Sequence, residues 1–190
     1  EGILRAELRL FAGQRAYRLR LATVGTLWES VADKATKEQW SPQQYLAELC
    51  HQELLAREDK RLARNLKDAT LPIGKHLNNF DFMAVDGINQ ATTYDLLQDK
   101  TWLTRGANLL LFGASGLGKT HLASALGYGL LEQGYKVKFI QATTLVQQLQ
   151  LAKRHLKLQD ELKKLDKYQL LIIDDIGYVR KFEQETSVLF

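Results

Sequence analysis

Gly113-Ala114-Ser115-Gly116-Leu117-Gly118-Lys119-Thr120 governs every other reading of this chain. The octapeptide fits G-x-x-x-x-G-K-[ST], the phosphate-binding loop, or P-loop. Its glycines let the backbone turn tightly, so that successive N–H groups point inward at phosphate oxygens. A helix that follows adds the positive end of its dipole at the same place. In this pattern Lys119 is expected to reach the β- and γ-phosphates and the Thr120 hydroxyl to ligate Mg²⁺. With glycine near 7% of residues, a chain of this length meets the pattern by chance roughly once in a hundred.

The flanking sequence supplies the required context. Asn108–Phe112 is a short apolar run, which predicts a strand leading into the loop, and a helix is expected over 119–133. In that helix Leu122, Ala125, Leu126, Gly129 and Leu130 share a face, and Gly134 is a stop signal. Lys136–Gln141 reads as a second strand. Thr144 and Gln147 are spaced as a capping box, opening a helix with Leu145, Leu149, Ala152 and Leu156 aligned. Leu158, Leu162 and Leu165 mark a further helical stretch before Leu170-Leu171-Ile172-Ile173-Asp174-Asp175. That apolar run without alternation suits a parallel strand covered on both faces. An apolar strand ending in acid is the Walker B pattern: Asp174 falls where the Mg²⁺-associated carboxylate sits, and Asp175 where a carboxylate polarises the attacking water. Strands alternating with helices imply a mostly parallel α/β sheet.

The first third of the chain has a different texture. Leu21, Val24, Leu27 and Trp28 recur at helical spacing, and Ser41-Pro42-Gln43-Gln44 combines a cap, a first-turn proline and a capping-box glutamine. The helix expected to follow carries Tyr45, Leu46, Leu49, Leu62 and Leu66, with Lys60, Arg61, Arg64 and Lys67 near its end. Pro72 and Gly74 then punctuate the chain, and the rhythm changes past His76. The chain has 190 residues, 45% of them hydrophobic and 25% charged, which excludes a disordered tail and a disulfide-stapled miniprotein. The single Cys50 points to a reducing compartment, and no apolar run approaches the ~20 residues of a membrane span. A cytoplasmic location is expected. The formal charge is +4, concentrated in 1–20, where five arginines face Glu1 and Glu7; that excess permits nucleic-acid binding and equally fits a solvated basic end. His51, His76, His121 and His155 show no metal-ligand spacing. A start at Glu1, a lone methionine at Met83 and the uncapped apolar pattern of Lys181–Phe190 predict a fragment at both ends.

The segments LLLFGASGLGKTHLASALG and LLIIDDIGYV, with the helix REDKRLARNLKDA before them, resemble IstB, the ATP-binding helper of certain insertion sequences, related to the helicase loader DnaC and the initiator DnaA. The resemblance covers about Leu19 to Phe190. It implies an α/β P-loop NTPase of the AAA+ type: a three-layer αβα core with a parallel sheet, incomplete at the C-terminus, over 76–190. A small all-helical N-terminal domain over 1–75, for DNA or a partner, precedes it. The implied cofactors are ATP and Mg²⁺. Gly113, Ala114, Ser115, Gly116, Leu117, Gly118, Lys119, Thr120 and the following His121 are implied as the nucleotide-binding set, Thr120 and Asp174 as metal-associated, and Lys119 and Asp175 as catalytic. Asn79-Phe80-Asp81-Phe82 matches the segment that closes over the adenine, although Phe80 and Phe82 equally suit a core. Lys153, Arg154, His155, Lys157, Lys163 and Lys164 fall where the family contacts DNA without sequence specificity; a solvated helix face with Asp160 and Glu161 is the other reading.

Such proteins assemble as homo-oligomers on DNA with ATP and engage a transposase. The resemblance also implies a strand between the P-loop strand and the Walker B strand, with a sensor residue at its tip, and an arginine finger, all beyond Phe190. The expectation is therefore a truncated copy that binds nucleotide weakly and does not turn it over efficiently. A DnaC-like helicase loader and a non-functional remnant of an insertion sequence are the alternatives.

Overall fold

A computed structural model describes residues 13–85 and 87–178. The arginines of the first twelve residues and the Lys181–Phe190 pattern lie outside the described residues. The chain divides into two compact units between Ala63 and Arg64, within a long helix.

In the first unit, helix α1 (Ala22–Lys37) is followed by α2 (Pro42–Ala69). The capping box at the start of α2 forms as its sequence predicts. The Ser41 amide donates to Gln44 Oε1 at 2.8 Å, and the Gln44 amide donates to Ser41 Oγ at 3.2 Å. Val24, Leu27 and Trp28 of α1 are half-buried, Leu49 of α2 is buried, and the Tyr45 hydroxyl donates to the Trp28 carbonyl. The start of α1 has no cap of its own. Glu53 serves it from α2: its Oε2 accepts from the Thr23 amide at 2.8 Å and the Val24 amide at 3.1 Å, while Oε1 accepts from Arg57 Nε at 2.8 Å. Burial pushes the Glu53 carboxyl up, and the hydrogen bonds from Arg57, Val24 and Thr23 outweigh it, so the group sits below the ordinary glutamate range.

In the second unit, α3 (Gln90–Gln98) and the short α4 (Thr101–Thr104) precede α5 (Lys119–Glu132), β1 (Val137–Gln141), α6 (Ala142–Arg154), α7 (Leu158–Leu165) and β2 (Leu170–Asp174). The strands pair in parallel, Val137 opposite Leu170 and Gln141 opposite Asp174. Residue parity then decides what each face meets. Ile140, Leu171 and Ile173 pack with Leu145 and Leu149 of α6 and with the three leucines of α7. Val137 and Ile172 turn to the opposite face, against α5. Gly127 permits that approach. A Cβ there would lie 2.9 Å from Ile172 Cδ1, 3.0 Å from Leu71 Cδ2 and 3.4 Å from Val137 Cγ1. Asp174 shares the parity of Ile172, so the strand delivers its carboxylate to the α5 side.

Within the second unit, residues 68–70 are fastened to β1 and to the residues just before β2. Thr70 Oγ1 donates to the Phe139 carbonyl at 2.7 Å, and the Tyr168 hydroxyl donates to Asp68 Oδ2 at 2.8 Å. That hydrogen bond, with the Lys167 ammonium beside it, holds the Asp68 carboxyl below its usual range against the opposing effect of burial.

Three sequence expectations are corrected. Asn108–Phe112 is not a strand: the described residues contain one sheet, formed by β1 and β2 alone. A strand needs a neighbour to take its backbone N–H and C=O groups, and this segment has none among the described residues; Leu110 is 65% and Phe112 87% exposed. Helix α6 starts at Ala142, directly after the strand, with Gln141 at the cap position and no side-chain cap, so Thr144 lies inside the helix rather than before it. Leu156 follows the end of α6 at φ 57° and is exposed, outside the stripe of Leu145, Leu149 and Ala152. No helix among the described residues is long and apolar enough to cross a membrane.

The depressed Glu53 carboxyl sets the sign of a pH dependence. Its stabilising effect is complete above the unfolded glutamate range and is lost as pH falls through the lower folded value. Urea unfolding followed by helical circular dichroism is expected to show the wild type losing stability below about pH 4. Glu53→Gln is expected to cost about 1–3 kcal/mol at neutral pH and to flatten that acid limb.

Candidate functional site

The site lies where the 113–118 loop runs into α5. Gly118 is the helix N-cap, at φ 78°, and Gly116 is also left-handed, at φ 86°. No side chain caps α5, so its first-turn amides and the positive end of its dipole face the loop. Lys119 lies over the loop, its Nζ donating to the Gly113 carbonyl at 2.9 Å and the Ala114 carbonyl at 2.7 Å. Ala114, Ser115, Gly116 and Leu117 are exposed along the loop.

The structure brings the two acid and hydroxyl positions named from sequence into contact. Thr120 Oγ1, in the first turn of α5, donates to Asp174 Oδ2, at the tip of β2, at 2.8 Å. Two hard oxygen donors from different motifs thus stand side by side next to a loop of amides, a donor set of the kind that suits Mg²⁺ with substrate phosphates. Asp175 is the next residue, exposed at φ 58°, a conformation that aspartate tolerates better than most side chains. It stands one residue beyond the Thr120–Asp174 pair and outside that hydrogen bond.

Behind the loop is an aromatic group that spacing alone does not reveal. His121 Nε2 lies 3.0 Å from the His76 carbonyl, and its ring meets Phe80 edge-on at 5.3 Å between centroids. Phe80 is buried and meets Phe82 edge-on at 4.8 Å, while the His76 ring packs on Tyr128 at 4.1 Å. The sequence presents His76 and His121 as scattered histidines, because a separation of 45 positions leaves no local signal of the contact. The basic residues Lys153, Arg154, His155, Lys157, Lys163 and Lys164 are all exposed, and Lys164 pairs with Glu161. They are remote in sequence from the loop and form no part of the Thr120–Asp174 contact.

A family model described as IstB-like ATP binding protein matches residues 14–190. An insertion sequence ATP-binding protein of Sinorhizobium fredii is 46% identical over 172 residues, a match that covers 90% of this chain and 58% of that protein. The IS5376 ATP-binding protein of Geobacillus stearothermophilus is 32% identical over 174 residues, covering 92% of this chain and 69% of that protein. The IS21 ATP-binding protein of Pseudomonas aeruginosa is 32% identical over 173 residues, covering 91% and 65%. The chain therefore spans about three-fifths to two-thirds of the length of these relatives.

The two left-handed glycines of the loop differ in their surroundings, and this gives a test of the geometry. A Cβ at Gly116 would meet nothing within 4 Å, whereas one at Gly118 would come 3.0 Å from Phe80 Cε2. Gly116→Ala is expected to cost about 1 kcal/mol, the conformational penalty alone. Gly118→Ala is expected to cost about 1–3 kcal/mol more through overpacking. Urea midpoints of the two variants check the difference, and equal losses would contradict the packing.

Proposed function

The chain belongs to the IstB-like ATP-binding protein family, and from that premise we propose that it is an ATP-binding helper of DNA transposition. The observation that carries the reading is the Thr120–Asp174 hydrogen bond, which joins the P-loop helix to the acidic strand tip in one site. The insertion-sequence names of the relatives favour transposition over the loading of a replicative helicase.

In this reading the amides of the 113–118 loop and the first turn of α5 bind the β- and γ-phosphates. Lys119 exchanges the Gly113 and Ala114 carbonyls for phosphate oxygens, a trade of neutral acceptors for charged ones. Thr120 and Asp174 hold Mg²⁺, which when bound neutralises charge on the phosphates. Asp175 orients and polarises the attacking water. His121 completes the nucleotide-binding set by fixing the first turn of α5. The sheet with α5 on one face and α6 and α7 on the other is, in this proposal, part of a three-layer αβα AAA+ core over 76–190. Residues 1–75 form the helical domain that meets DNA or a partner. ATP then acts as an assembly switch: subunits associate on DNA through sequence-independent phosphate contacts and engage a transposase.

Calorimetric titration with Mg·ATP tests the premise of the switch. The wild type is expected to bind, and Lys119→Ala to bind about tenfold or more weakly, since the lost ammonium meets the phosphates directly. Equal affinities for the two proteins would contradict the assignment.

A further inference from the structure

The sequence leaves two readings of Phe80 open, a lid on the base or a core aromatic, and the geometry points to a third role. We infer that Phe80 is a positioning residue for the phosphates: it braces the P-loop from behind by filling the space beside Gly118, and His121 holds it there. This deepens the nucleotide-binding proposal and rests on it.

Phe80 is 8% exposed, too enclosed to offer a face to a nucleoside base. Its ring edge lies against Gly118, so close that a Cβ on that residue would stand 3.0 Å from Cε2 and 3.6 Å from Cζ. Gly118 is the residue at which the loop becomes helix, and its φ of 78° aims the first-turn amides. An aromatic wall at that point limits the backbone there to a narrow range, which is the support a phosphate-binding loop needs from behind. The wall is itself held on two sides. Phe82 meets it edge-on, and His121 meets it at an interplanar angle of 88°. His121 is in turn fixed through Nε2 at the His76 carbonyl, and the His76 ring rests on Tyr128 of the same helix. The segment that carries Phe80 is therefore fastened to α5 at both its first and third turns.

A brace and a base lid differ in which ligand notices their loss. A base contact serves ATP and is irrelevant to inorganic tripolyphosphate; a brace beneath the loop serves both equally. The 190-residue chain is titrated with Mg·ATP and with Mg·tripolyphosphate, in the wild type, Phe80→Leu and Phe80→Tyr. Phe80→Leu keeps most of the buried volume and removes the flat wall. It is expected to weaken both ligands by the same factor, about tenfold, reflecting the ordering that the loop must then undergo on binding. Phe80→Tyr, which keeps the ring, is expected to recover most of that loss. A thermal melt of each variant separates looseness of the loop from global unfolding, and His121→Gln, which keeps a donor for the His76 carbonyl, is expected to bind more tightly than His121→Ala. Loss of ATP affinity with tripolyphosphate affinity unchanged would overturn the inference in favour of a base contact. Unchanged affinity for both ligands would overturn it outright. If the wild type itself binds neither, the nucleotide-binding proposal fails, and that outcome is distinct from either of these.

Discussion

The packing of the second unit converges on one hydrogen bond, Thr120 Oγ1 to Asp174 Oδ2. Thr120 belongs to the first turn of a helix and Asp174 to the last residue of a strand, 54 residues apart in the chain. For the two to meet, α5 must cross the sheet at close range, and Gly127 makes that possible by presenting no side chain to Ile172 and Val137. The strand must also be in register, because a slip of one residue would turn Asp174 to the face occupied by α6 and α7. The packing of Ile140, Leu171 and Ile173 against those helices opposes such a slip. The apolar core thus sets the position of a polar contact, and the polar contact sets which groups share the site.

Where sequence and structure agree, the signal is local. The Ser41/Gln44 capping box, the span of α5 and the strand 170–174 each rest on a few adjacent residues whose preferred backbone geometry is also the observed one. Thr120 and Asp174 are each marked by a local motif, whereas their contact across 54 residues is supplied by the fold. Disagreement arises where a segment depends on something distant. Asn108–Phe112 has the composition of a strand but no hydrogen-bonding neighbour among the described residues, so its pattern has nothing to act on. Thr144 and Gln147 have capping-box spacing, yet the helix starts directly from the strand because Ala142 and Leu145 are drawn into the core. Glu53 capping a different helix, and His121 bonding the backbone of His76, have no sequence signature at all.

The two units divide the chemistry between them. The first holds a buried carboxylate that ties one helix to another through backbone amides. The second holds the loop, Lys119, Thr120, Asp174 and Asp175, the groups proposed to meet Mg·ATP. The chain's family is described by ATP binding, and the cations around α6 and α7 are exposed.

We propose that Thr120 and Asp174 act as one unit in holding Mg·ATP. A double-mutant cycle on Mg·ATP affinity with Thr120→Ala, Asp174→Ala and the double variant measures it most directly. A shared role predicts that either single change removes most of the metal-dependent affinity and that the second adds little, a coupling of about 1–3 kcal/mol. Losses that simply add, with coupling below about 0.5 kcal/mol, would mean that the two residues are neighbours without a common function.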